Sequence, residues 1–378
     1  MMACRLVLAL VLMVSTAGVS LAADTVKIGA VLSVTGPASF LGEPEKNTLN
    51  LMRDTLNASG GIAGKQVELI IYDDESDVNK AVLAAEKLLK KDQVAAIAGP
   101  SISGNALAIL GKVAEAKVPL VSLAAAEKIV NPVNPWVFKT AQSDRLAVSK
   151  ILAHAKAAGH TKLAILTVSD GFGQTGREVL KELIPAAGME LVADEVFGPK
   201  DTDMTAQLTK IAGSGAQAVV CWGTNPGPAV VARNRVQLGM KLPLYMSHGV
   251  ASGKFIELAG DSAEGLILPA SWLIVADQMP EGPFKSLLTG YAADYTKKFG
   301  TPPSAFGGYA WDAMMLLADA AKLGGGTTPA QLRAGLEKVK NFQSATGVFS
   351  FTEADHNGLD DRSFAMVKIE NGKFVLLK

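Results

Sequence analysis

The chain has 378 residues, 49% of them hydrophobic, with 36 Lys and Arg balancing 36 Asp and Glu. That neutrality removes the electrostatic footprint expected of a partner of nucleic acid or of an acidic membrane surface. Two cysteines, Cys4 and Cys221, are too few for a disulfide framework or a thiolate metal cluster.

In chain order, the first segment is MMACRLVLALVLMVSTAGVSLAADTVKIG, with one cation (Arg5) and an apolar stretch from Leu6 to Val14. The stretch is shorter than the about 20 residues of a membrane span. Ser20-Leu21-Ala22 fits the small-x-small pattern of a cleaved export signal. Residues 1–22 are therefore expected to be a signal peptide and the product to be periplasmic. Cys4 precedes the apolar run, which is the wrong side for lipid attachment. Without the leader the balance is about −1 and Cys221 is the only cysteine left. The remaining chain of about 355 residues is longer than one core usually supports, so two domains are expected.

VKIGAVL (Val26–Leu32) reads as a strand, followed by helical spacing over Glu43–Asn57. QVELIIYDD (Gln66–Asp74) is a strand and Val78–Lys91 a helix. VAAIAG (Val94–Gly99), a helix from about Asn105, and VPLVS (Val118–Ser122) continue the alternation. After WVFKTA (Trp136–Ala141) it restarts, with a helix at Arg145–Ala158, a strand at Leu163–Val168, a helix at Gly176–Ala187 and a strand at Glu190–Phe197. Then come a helix near Met204–Ala212, the strand AVVCW (Ala218–Trp222), a helix at Ala229–Leu238, and strands near Leu244 and Leu266. The tail differs: three helices at about Phe284–Phe299, Ser304–Leu323 and Pro329–Val339 precede short strands such as GVFSF and FAMVKI. Short apolar runs alternating with helices predict an α/β fold with parallel sheets covered on both faces.

In such folds ligands bind in loops at the carboxyl ends of strands. The first block's loops are rich in small polar residues: SVTGPASFLGE (Ser33–Glu43), PSISGN (Pro100–Asn105) and LAAAEK (Leu123–Lys128). Backbone N–H groups and serine hydroxyls at a helix N-terminus suit a carboxylate or similar small anion. Ser101 and Ser103 have a plainer reading as ordinary helix caps.

These residues carry a resemblance. The opening VKIGAVLSVTGPASFLGE, then Gly60–Asp74, the AGPSISG turn, KTAQSD (Lys139–Asp144) and the segment near GVFSF resemble the leucine/isoleucine/valine-type solute-binding proteins of ABC importers. The resemblance covers nearly all of the mature chain. It implies a type I periplasmic binding protein: two Rossmann-like lobes joined by three hinge crossovers, closing on ligand, monomeric, without cofactor, and delivering solute to membrane permease subunits. The crossovers are placed near Ala141–Asp144, Trp272–Val275 and Gly347–Phe351. The first lobe would comprise 23–141 with 275–347, the second 142–274 with 348–378.

GFGQTG (Gly171–Gly176) has the G-x-G-x-x-G spacing of a dinucleotide turn. An exported protein meets little NAD, so the glycines are read instead as allowing a tight strand-to-helix turn. On the resemblance, Phe172 there faces the cleft. The resemblance also makes Ser103 the carboxylate anchor, with the backbone of Ala124 and Ala126 completing the cradle. Ala126 lacks the hydroxyl normally found there, and His248 in MSHGVAS (Met246–Ser252) stands where an acid normally pairs with an ammonium. Ser33, Leu41, Ser101, Trp222 and Thr224 complete the candidate site. A ligand carboxylate without an α-amino group, such as a benzoate derivative, is expected, with branched-chain amino acids the runner-up. Each assignment has a plainer alternative: His248 as a surface histidine, Trp222 as packing, Asp73, Asp74 and Glu75 as a solvated rim or cap, Cys221 as a buried small hydrophobe. No G-x-S-x-G, H-E-x-x-H, P-loop or C-x-x-C motif occurs, so no enzyme is expected.

Overall fold

The computed structural model describes residues 24–377, so the expected leader lies outside the described residues. Among them, no helix is long and apolar enough to cross a membrane.

Five strands, β1 (Thr25–Leu32), β2 (Gln66–Asp73), β3 (Ala96–Ala98), β4 (Leu120–Ser122) and β5 (Val137–Lys139), form a parallel sheet in the order β2-β1-β3-β4-β5. Helices cover both faces of it, which is why IGAVL and AIA are unbroken apolar runs with no alternation. The intervening helices are α1 (Ser39–Ala58), α2 (Val78–Lys87) and α3 (Ser103–Ala116). α1 starts a turn earlier than Glu43 and holds Pro44 inside it. The added turn forms because Leu41 and Gly42 bury against the loop after β1, where a Cβ on Gly42 would stand 2.2 Å from the Ser33 carbonyl. That burial offsets the backbone hydrogen bond Pro44 forgoes.

After α4 (Asp144–Ala157) the alternation resumes with β6 (Lys162–Val168), α5 (Gly171–Ala186), β7 (Glu190–Phe197), α6 (Thr205–Ala212), β8 (Ala218–Trp222), α7 (Gly227–Gln237), β9 (Leu244–Met246), α8 (Gly253–Ala259) and β10 (Ile267–Ser271). The tail adds α9 (Pro283–Phe299), α10 (Ala305–Gly324), α11 (Pro329–Leu336), a hairpin of β11 (Phe342–Gln343) and β12 (Val348–Phe349), then β13 (Phe364–Glu370) and β14 (Lys373–Leu376). The second sheet runs β14-β13-β10-β9-β8-β6-β7. It is parallel except at β13, which pairs antiparallel with β10 and β14.

α10 is apolar nearly all round, the pattern of a fully buried helix. Its Tyr309, Met314 and Leu317 pack in the first core with Ile28 and Leu49. The chain passes between the cores at Thr140–Ser143 and along the 3₁₀ segment Trp272–Gln278, whose Val275 belongs to one core and Leu273 to another cluster beside α9. The third crossing differs from the expectation at Gly347–Phe351. Phe349 and Phe351 are wholly buried in the first core, Phe351 against Phe138 at 5.2 Å between ring centroids. The Lys139 N–H also donates to the His356 carbonyl. Burying each phenylalanine is worth about 1.5–3 kcal/mol, which keeps 348–359 with the first lobe. The crossing comes at Asp360–Ser363, between Leu359 in the first core and Ala365 in the second.

Candidate ligand-binding site

The carboxyl ends of β1, β3 and β4 face those of β6, β8 and β9 across a cavity of about 470 Å³. On the first-lobe side the chain leaves β3 through Gly99, whose φ of +107° and approach to the Val31 carbonyl admit no side chain. The next residues open α3, whose N-cap position, Ile102, supplies no side-chain cap. The first-turn residues Ser103, Gly104 and Asn105 line the cavity. The Ser103 Oγ accepts the Ala126 N–H at 3.2 Å, which leaves the hydroxyl proton for another acceptor. An uncapped helix start beside a free hydroxyl donor is suited to an anion.

Behind this edge lies a hydrogen-bonded frame. Asp74 is fully buried, with one carboxyl oxygen accepting from the Ser33 hydroxyl at 2.7 Å and the other from the Asn105 amide at 2.7 Å. Asp73 gathers the Val34, Thr35 and Glu75 N–H groups. The acidic cluster thus braces the loops. Ser101 lines the cavity, but its hydroxyl donates to the buried Glu45 carboxyl and accepts the Ser33 N–H. Burial raises the Glu45 pKa well above the usual carboxylate range.

The second-lobe side carries both charged lining residues, Asp170 and Lys200. Phe172, Phe197 and Pro226 also line it, with Thr224, Asn225 and His248 as its uncharged polar members. The His248 ring is 2% exposed and sits among Phe172, Trp222 and Phe364, at 5.5, 5.7 and 5.3 Å between centroids. Burial first, then the Lys139 charge, lowers its pKa to about 3, so the ring is neutral near pH 7. Neither ring nitrogen has a partner, and neither has either amide atom of Asn225. Asp170 caps α5, accepting the Phe172 and Gly173 N–H groups at 3.0 and 2.9 Å. Burial raises its pKa despite those bonds.

Beneath the cavity runs Lys139, the last residue of β5 and wholly buried. Its Nζ donates to the Ala125 carbonyl at 2.7 Å and the Ser143 hydroxyl at 2.9 Å, with the Ala126 carbonyl at 3.5 Å. Three acceptors around one nitrogen are what an ammonium requires. Among the described residues no carboxylate lies within the 4.0 Å of an ion pair. Burial lowers the Lys139 pKa, opposed chiefly by Asp144. The Asp144 carboxylate itself accepts the Glu127 N–H and the Thr175 hydroxyl.

Of the residues expected at the site, Leu41, Ser101, Ser103, Ala124, Phe172, Thr224 and His248 line the cavity. Three do not. Ser33 faces Asp74, Ala126 commits its N–H to Ser103, and Trp222 is fully buried behind Phe172, at 5.6 Å between centroids. Among the lining residues outside the expected set are Ala125, Asp170, Asn225, Phe306 and Tyr309. Asp170 carried a signal, an Asp directly ahead of a helix start. Phe306 and Tyr309 carried none, since they arrive on α10, far along the chain from the strand-end loops.

The GFGQTG glycines serve close approach, because none of Gly171, Gly173 and Gly176 has a positive φ. A Cβ on Gly173 would meet the Val168 carbonyl at 1.8 Å, and one on Gly176 the Trp222 indole at 2.1 Å. One on Gly171 would stand 3.1 Å from the Gly104 backbone of the other lobe. The lobes therefore touch at two glycines over the cavity. The Lys128–Glu178 ion pair, at 2.7 Å, spans the same gap.

A family model described as periplasmic binding protein matches residues 25–373. The chain is 26% identical over 343 residues to the leucine-, isoleucine-, valine-, threonine-, and alanine-binding protein of Pseudomonas aeruginosa, covering 89% of this chain and 88% of that one. Among solved structures it is similar to an extracellular ligand-binding receptor from Rhodopseudomonas palustris HaA2, with 31% identity, a TM-score of 0.87, and coverage of 94% and 100%. It is also similar to the branched-chain amino acid transporter substrate binding protein LivJ from Streptococcus pneumoniae in complex with isoleucine. There the identity is 27%, the TM-score 0.82, and the coverage 94% and 100%.

Proposed function

The chain belongs to the periplasmic binding protein family, and on that premise we propose that it traps a small monocarboxylate between its lobes for the permease of an ABC importer. Export to the periplasm and action as a monomer are part of this proposal. The observation that carries it is the uncapped start of α3, with the Ser103 hydroxyl proton unspent, opening on an otherwise mostly apolar cavity. A carboxylate docks there, and an aromatic or aliphatic body lies among Leu41, Phe172 and Phe306. The neutral His248 supports an acid without an α-amino group, with benzoate derivatives first. An ammonium facing that ring would lack a counter-charge, at a cost of several kcal/mol, whereas micromolar binding totals only about 8.

Asp170 favours a second reading. Its carboxyl lines the cavity, and an ionised Asp170 would pair with the ammonium of a leucine-like ligand. The names of the Pseudomonas and Streptococcus proteins point the same way. Thermal shift with benzoate, 4-hydroxybenzoate, leucine, isoleucine and valine decides between the two, because a ligand of the native state raises the melting point. Stabilisation by the aromatic acids alone supports the first reading. Stabilisation by leucine alone replaces it with the second.

A further inference from the structure

Lys139 is a buried ammonium that contacts no carboxylate among the described residues, and it stands directly behind the loop that forms the cavity wall. Its Nζ donates to the Ala125 carbonyl at 2.7 Å. The N–H of that same peptide unit, which belongs to Ala126, donates to the Ser103 Oγ at 3.2 Å. The Ser103 proton is then the outermost donor of the chain and faces the cavity. Hydrogen bonds in series polarise one another: a cation on the peptide oxygen makes its N–H a stronger donor, and the hydroxyl that accepts this N–H becomes a stronger donor in turn.

We propose that Lys139 is the charged positioning residue of the anion site, acting on a ligand carboxylate through the Ala125–Ala126 peptide and Ser103 without touching it. The inference rests on the reading of the cavity as a carboxylate site. A bound carboxylate places a negative charge at the far end of this relay, where the hydrogen bonds in series carry the influence of the ammonium. Ser143, whose hydroxyl accepts from Nζ at 2.9 Å and donates to Asn357 at 2.9 Å, holds the ammonium in line from the hinge side.

The test is calorimetric titration of the full protein with two acid–amide pairs, benzoate with benzamide and leucine with leucinamide. The wild type binds at least one acid more tightly than its amide. Lys139→Met lowers affinity for that acid about tenfold or more, the scale of a charge-assisted hydrogen bond, and changes amide affinity less than about twofold. An equal loss for acid and amide reduces Lys139 to a structural residue and overturns the proposal, as does an unchanged acid affinity. Ala126→Pro tests the relay with Lys139 intact, and it decides the matter if the Met variant does not fold. It deletes the N–H where φ is already −51°. The acid-over-amide preference falls if the relay operates, and an undiminished preference overturns it. A wild type with no preference for either acid contradicts the carboxylate reading itself, a result separate from these.

Discussion

At the level of single residues, ligand selectivity turns on two side chains that line the cavity from different lobes, Ser103 and His248. Removing the hydroxyl in Ser103→Ala deletes a donor to a charged acceptor, worth about 1.5–3 kcal/mol, so the dissociation constant rises about tenfold or more. The melting temperature of the unliganded protein falls moderately, because the buried Ala126 N–H loses its acceptor at a cost of about 1–3 kcal/mol, while the protein stays folded. Calorimetry beside a melting curve checks both. His248→Glu tests the other side chain: it improves leucine relative to benzoate, and an unchanged ratio of their dissociation constants removes His248 from the basis of selectivity. The native imidazole also has a pH signature. Its pKa falls from about 6.5 in the unfolded chain to about 3 when folded. The unfolded state therefore binds the extra proton first, and this group's contribution to stability, complete above about pH 6.5, is lost as pH falls toward 3. Thermal unfolding between pH 7 and 4 has a shallower acid slope in His248→Gln than in the wild type.

At the element scale, the start of α5 couples fold to closure. A side chain on Gly176 meets the buried Trp222 indole within the second lobe, so Gly176→Ala destabilises the unliganded protein by about 1–3 kcal/mol. Gly171 instead touches Gly104 of the other lobe. Gly171→Val leaves the unliganded melting temperature near its wild-type value and weakens ligand binding about tenfold, because the clash exists only where the lobes meet. Equal effects of the two substitutions on unliganded stability would contradict this division. The glycine spacing was visible in the sequence, but its reason was not. Turn chemistry is a local property, whereas the contacts of Gly171 and Gly176 are with residues 67 and 46 positions away in the chain. The βα alternation was legible because buried parallel strands are short continuous apolar runs. The third crossing was misplaced because GVFSF reads as a strand on either lobe, and only the burial of Phe349 and Phe351 against Phe138 assigns it.

For the whole molecule, the candidate site is the cavity between two sheets, and its lining was legible as far as strand ends reveal it. Ser103, Ala124, Phe172, Thr224 and His248 each follow a strand closely, and all of them line the cavity. Ser33, Ala126 and Trp222 lie in the same stretches but one layer back, a difference of side-chain direction that sequence does not encode locally. Phe306 and Tyr309 reach the cavity only through the way α10 packs in the fold. Lys139 went unread because a lysine at the end of a strand usually reaches solvent, and this one is wholly covered.

On the proposed function, the ligand is held by its carboxylate at the start of α3. Calorimetric titration of the wild-type protein with benzoate, leucine and their amides tests it most directly. At least one acid is expected to bind, and its amide to bind at least about tenfold more weakly, the loss of a charge-assisted hydrogen bond. An amide that binds as tightly as its acid, or an absence of binding by both acids, would contradict it.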